Sequence, residues 1–206
     1  MSAGVAREHT TVERAAPADL RAVVVGASAG GVDALCALLP ALPSHCRCAV
    51  LVVVHVSLRG PGLLAEVFAP RCRLPVREAQ DKEPVLSGTV YLAPAGYHLL
   101  VEPGPQLALS VDDLVHHSRP SIDVLFESAA HVYRSQLMGI ILTGANEDGA
   151  EGLAAVHAAG GFTVVQRPET AQSPRMVRSA LRRARPDRLL SLEGIAALLG
   201  ALPVHP

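Results

Sequence analysis

The chain has 206 residues, roughly one domain of ordinary size, long enough to bury most of its surface. Half the residues are hydrophobic and 18% are charged, which excludes global disorder. The 18 Lys+Arg nearly balance the 19 Asp+Glu, so there is neither the basic excess that draws nucleic acid nor an acidic tail. Aromatics are only 3% with no Trp, which leaves no stacking platform for bases or sugars.

The longest strictly apolar run, Ala49 to Val54, is far short of the roughly 18 residues of a membrane-spanning helix. Arg7, Glu8, Glu13 and Arg14 stand near the N-terminus with no apolar segment among them, so neither membrane insertion nor a signal peptide is expected, and the chain is expected to be cytoplasmic. Cys36, Cys46, Cys48 and Cys72 are too sparse for a secreted disulfide scaffold. His45-Cys46-Arg47-Cys48 offers half a metal site and no second pair completes it, so the thiols are read as buried or loop groups.

Residues 1–20 are polar and Ala-rich without period and read as a disordered lead-in to one domain over 21–206. Ala22 to Val25 is a β-branched run ending at Gly26, the pattern of a strand buried on both faces. Beyond Gly30-Gly31, the positions Val32, Leu35, Leu38, Leu39 and Leu42 have helical spacing, closed by Pro43. Ala49 to Val54 reads as a second buried strand, and Leu63, Leu64, Val67 and Phe68 as a second helical stripe. Segments 88–94, 97–102 and 106–111 read as short strands between Pro and Gly turns, an antiparallel excursion from the main sheet. Pro120 is expected in the first turn of a helix through Val124, Leu125, Ala129 and Val132. Strands over 138–142, 162–165 and 188–191 then alternate with helices over 149–159, 176–185 and 193–199. This alternation indicates an α/β fold: a doubly wound, mostly parallel, Rossmann-like sheet with an antiparallel hairpin extension.

The turn Gly26-Ala27-Ser28-Ala29-Gly30-Gly31 admits two chemistries. A dinucleotide site would want Gly where Ser28 stands and an acid at the end of the next strand, which instead ends at His55. A G-x-S-x-G nucleophile turn would thrust Ser28 above the carboxyl edge of the sheet, where the backbone N–H groups of Ala29 and Gly30 can stabilise an oxyanion. His55 stands at the same edge as the candidate base. The segment after Leu142 offers Glu147 and Asp148 as the orienting acid, and an Asp148 that merely caps the following helix is the plain structural alternative.

At these residues the chain resembles the catalytic domain of the chemotaxis receptor methylesterase family, CheB. The resemblance rests on the turn Gly26 to Gly31, Val54-His55-Val56, the stretch Val90 to Val101, Arg119-Pro120-Ser121-Ile122-Asp123-Val124-Leu125-Phe126, Ile141-Leu142-Thr143-Gly144 and Asp148-Gly149-Ala150, in order, over about residues 21–200. It implies Ser28 as nucleophile, His55 as base and Asp148 as orienter, with no metal or cofactor. It also implies hydrolysis of glutamyl γ-methyl esters on the cytoplasmic helices of methylated chemoreceptors, and deamidation of glutamine side chains by the same site. Where the family usually has Met-Gly, this chain has Ala145-Asn146, in a segment whose backbone the resemblance implicates in oxyanion binding; reduced turnover is the expectation. Typical members carry an N-terminal receiver domain. About 20 polar residues do not make one, so the expectation is a stand-alone esterase or a component regulated in trans, with a separate response regulator or receptor methyltransferase as partner. The alternative function is a non-catalytic, partner-binding signalling module on the same fold. The arginines Arg175, Arg178, Arg182, Arg183 and Arg185 read as a solvated face, with docking to acidic receptor helices as the other reading, and His116-His117 as a surface loop pair.

Overall fold

The computed structural model describes residues 14–55 and 63–204. In chain order the elements are β1 (Ala22–Ala27), α1 (Gly31–Leu38), β2 (Ala49–Val54), α2 (Leu63–Phe68), β3 (Val76–Glu78), β4 (Val90–Leu92), β5 (His98–Glu102) and β6 (Gln106–Ser110). They continue with α3 (Ile122–Tyr133), β7 (Leu137–Ile141), α4 (Ala150–Ala158), β8 (Phe162–Gln166), α5 (Arg175–Ala184), β9 (Arg188–Leu190) and α6 (Leu192–Gly200). Seven strands form one sheet in the order β3-β4-β2-β1-β7-β8-β9, every pair parallel, and β5-β6 form a separate antiparallel hairpin.

The four central strands explain the continuous apolar runs, because β1, β2, β7 and β8 are buried along their whole length. Alternate residues feed two cores. Val23, Val25, Val50 and Val52 meet Leu35 and Leu38 of α1 and Ile195 and Leu199 of α6. Val24, Leu51 and Val53 meet Leu125 and Phe126 of α3, Leu153 and Val156 of α4, and Met176 and Val177 of α5. Each fully buried Val or Leu contributes roughly 1.5–3 kcal/mol, and a one-residue slip of a strand would exchange both sets at once, so the register is firmly set.

Segment 88–94 departs from expectation. Its strand, β4, joins the main sheet in parallel between β2 and β3, and only β5 and β6 form the antiparallel extension. Pro120 also stands differently. The helix begins at Ile122 with Ser121 as its N-cap, leaving Pro120 just outside the first turn. Residues 1–13 of the polar lead-in, and Val56 of the His55 segment, lie outside the described residues. Within 14–20, Ala16 packs against the first core and the Arg14 guanidinium donates to the carbonyls of Gly160 and Gly161 at 3.3 Å. Among the described residues no helix is long and apolar enough to cross a membrane.

Strand order places the site. The chain leaves β1 toward β2 on one side and later returns to β7 on the other. In open parallel sheets, the crevice beyond the carboxyl ends of two such strands is where ligands bind.

Candidate active site

Ser28 follows β1 directly. Its N–H donates to the carbonyl of Thr143 at 2.9 Å, and its own carbonyl accepts from Gly31 at 2.7 Å as the chain turns into α1. Gly30 makes that turn possible at φ 78°, a conformation costly for any residue with a Cβ. Among the described residues, no acceptor is set against the amide N–H of Ala29, Gly30 or Ala145.

His55 leaves β2 at the same level: its N–H donates to the carbonyl of Ala27 at 3.0 Å, so it stands beside Ser28 across the strand pair. Its Nε2 lies 3.0 Å from Oδ2 of Asp148, the distance of an ion pair but off the line of an ideal N–H···O bond. Its other ring nitrogen, Nδ1, faces Nδ2 of Asn146 at 3.4 Å. Among the described residues, Ser28 Oγ makes no hydrogen bond to His55. His55 and Asp148 are therefore brought together, and Ser28 stands next to them.

Asp148 does not cap the helix that follows it; Gly149, at φ 95°, is the N-cap of α4. Its carboxylate instead sits on the N-terminus of α3. Oδ1 accepts from the Ser121 hydroxyl at 2.8 Å and from Asp123 N–H at 3.0 Å, and Oδ2 accepts from Ile122 N–H at 2.7 Å. Burial alone would push its pKa up. The bonds from His55, the two backbone amides and Ser121 outweigh burial and hold the carboxyl below its ordinary value. The positive end of the α3 dipole acts in the same sense.

Other side chains at the site carried no clear signal in the sequence. Thr143 Oγ1 donates to the carbonyl of Ala29 at 2.9 Å and accepts from Ser173 N–H at 2.8 Å, pinning the Ser28 turn to the segment before α5. Gln166 Oε1 accepts from Thr143 N–H at 2.9 Å. The signal that was available for Ser121 is a Ser directly before a helix. The loop histidine His116 does more than sit on the surface: its Nε2 lies 3.2 Å from Oδ2 of buried Asp123. Burial and the nearby Asp148 charge push the Asp123 carboxyl up to about 6, against the Gly152 N–H and His116, which favour its charged form.

Ligand atoms of His116, Asp123 and Asp148 lie within 4.8 Å of one another. A cation there would have to take Asp148 from the donors that already hold it. Cys46 and Cys48 are buried, and Cys48 Sγ donates to the carbonyl of Leu20 at 3.3 Å. On α5, Arg183 pairs with Glu151 at 2.6 Å and Arg182 bonds Ser179 Oγ, while Arg175 and Arg178 are exposed.

The sequence profile of the CheB methylesterase family matches residues 23–199. The chain belongs to this family. A relative from Leptospira interrogans (strain Fiocruz L1-130) is 45% identical over 177 residues, covering 86% of this chain and 92% of the relative. The protein-glutamate methylesterase/protein-glutamine glutaminase of Symbiobacterium thermophilum is 41% identical over 150 residues, and the match covers 73% of this chain but only 41% of that protein. The crystal structure of the Thermotoga maritima CheB methylesterase catalytic domain superposes with a TM-score of 0.82 at 32% identity, covering 87% of this chain and 97% of that one. The parallel seven-stranded sheet is thus the fold of the CheB catalytic domain.

Proposed function

We propose that the chain hydrolyses glutamyl γ-methyl esters, and glutamine side-chain amides, on the cytoplasmic helices of chemoreceptors, with Ser28 as nucleophile, His55 as base and Asp148 as orienter. The observation that carries this reading is the 3.0 Å approach of His55 Nε2 to the buried Asp148 carboxylate, on the strand end next to Ser28. Asp148 fixes the ring with its proton on Nε2, leaving Nδ1 to accept. Nδ1 takes the Ser28 proton as Oγ bonds to the ester carbonyl carbon, and the amides of Ala29, Gly30 and Ala145 meet the oxyanion. The proton passes to the methoxy group, methanol leaves, and water, deprotonated by the same nitrogen, releases the glutamate and restores Ser28. A carboxamide would lose ammonia by the same steps.

Methanol release from a methylated receptor tests this. Ser28→Ala is expected to lower kcat by about three orders of magnitude or more while leaving the fold intact, and Ser28→Ala with His55→Ala to lose little further, since the two act as a unit. Near-normal turnover by Ser28→Ala overturns the assignment. The second reading, a non-catalytic partner-binding module, is favoured by one observation, the Asn146 carboxamide against Nδ1. It becomes the better reading if the wild-type chain releases no methanol.

A further inference from the structure

The contact between Asn146 and His55 has a chemical sense. In a neutral imidazole one nitrogen carries the proton and the other accepts. In a neutral ring the Asp148 carboxylate, 3.0 Å from Nε2 though off the line of an ideal bond, favours the tautomer with the proton on Nε2 and Nδ1 bare. The donor end of the Asn146 carboxamide, Nδ2, is the end that suits a bare Nδ1, and it stands there at 3.4 Å. The cost falls on the other end: Oδ1 of Asn146 is buried and has no hydrogen-bond partner among the described residues. A long bond is thus kept at the expense of an unmade one, an arrangement easily displaced.

The loop around Asn146 allows that displacement. Gly144 is tied on both sides, its N–H to the Ser173 carbonyl at 2.9 Å and its carbonyl to Met176 N–H at 3.0 Å, and Asp148 is fixed on α3. Between these anchors Ala145 and Glu147 are exposed and Asn146 is half-buried. Asn146 can turn without disturbing either core.

Nδ1 is also the atom that must take the proton of Ser28. Resting on Ser28 and His55 as nucleophile and base, we infer that Asn146 is a positioning residue that occupies the proton-accepting edge of His55 in the resting protein and keeps Ser28 unactivated until substrate displaces it. The exchange favours itself once begun. A proton on Nδ1 repels the amide N–H and attracts Oδ1, so one rotation of the carboxamide gives both the imidazolium and the orphaned oxygen a partner.

A fluorophosphonate probe on the full chain tests this without a receptor. The Oγ–P bond forms, P–F breaks, fluoride leaves and the Ser28 proton passes to His55, so the labelling rate reads activation of the serine without receptor binding. Asn146→Gly and Asn146→Ala are expected to label about five times faster than wild type, the scale of one weak hydrogen bond. Asn146→Asp, equal in shape but only an acceptor, pairs with the protonated ring and is expected to label more slowly. A structural role would move all three variants the same way. Equal or slower labelling of both small variants overturns the inference, as does faster labelling of Asn146→Asp. Absence of labelling in every protein, with Ser28→Ala as blank, overturns the nucleophile and base reading itself, and the inference with it. Should the small variants fail to fold, the imidazole ¹⁵N spectrum of the wild type decides, with His55 assigned through His55→Gln. A shielded, hydrogen-bonded Nδ1 supports the inference and an unbonded one overturns it.

Discussion

Asp148 offers two oxygens to four donors: the Ser121 hydroxyl, two backbone amides and the His55 ring. Its neighbour Asp123, also buried, has the Gly152 N–H at 2.7 Å and the His116 ring. The difference in donors gives the two acids opposite pH behaviour. Asp148, held below the ordinary carboxylate value despite its burial, contributes stability that is fully present above that value and is lost as pH falls through its own lower one. Asp123, pushed by burial up to about 6 against roughly 3.9 in an unfolded chain, keeps its proton in the native state over the window between these values, so its contribution falls as pH rises through it. Urea unfolding across this range should separate them. Asp123→Asn, whose amide oxygen still accepts from Gly152, is expected to gain on wild type as pH rises from about 4 to about 7. Asp148→Asn is expected to be less stable than wild type at pH 7, with the gap closing below about pH 4. Differences independent of pH would refute both assignments.

At the scale of elements, the site depends on how closely α3 approaches β1. A Cβ on Gly26 would run into the side chain of Ile122, and one on Gly149 into Ile122 and Ile141. These two glycines let the first turn of α3 settle against the central strand, where Asp148 reaches its amides. Gly26→Ala is expected to push that turn away and to cost about 1–3 kcal/mol. Its kcat on methylated receptor should fall further than that loss of stability explains, because Asp148 loses its register on His55. Unchanged kcat with lowered Tm would show that α3 and the proposed triad are not coupled. This coupling was not legible in the sequence. Gly26 reads as the first glycine of the nucleophile turn, and nothing local to it points to Ile122, nearly a hundred residues away. Asp148 reads as a candidate orienting acid or as a cap for the helix beside it; that its carboxylate caps α3 instead is not legible, because capping signals are local and the helix it caps is not. Ser28 and His55 were legible because each ends a continuous apolar run, and in a parallel sheet such ends share an edge.

Across the whole molecule, the sheet was read most reliably where it is most buried. β1, β2, β7 and β8 announce themselves as apolar runs; β3 is only Val76-Arg77-Glu78 at an edge, half-exposed and without period. β4 was read as antiparallel because a three-residue strand between turns says nothing about direction, and only its seat between β2 and β3 does. What burial fixes, the sequence pattern reports; what long-range pairing fixes, it does not. The switch point between β1 and β7 is of the second kind, and it is what sets Ser28 and the Asp148 loop on one crevice.

Because Asp148, the acid of the proposed triad, is also the clamp on the first turn of α3, the backbone protons of Ile122 and Asp123 report on its placement. First-turn amides of a helix have no acceptor within it and exchange freely with solvent unless something holds them. Here a buried carboxylate holds both. In deuterated water these two protons are expected to persist well beyond other first-turn amides, and in Asp148→Ala to exchange at the rate of a frayed helix end. The seating of Asp148 is thus readable from isotope exchange in a chain that has never met a substrate.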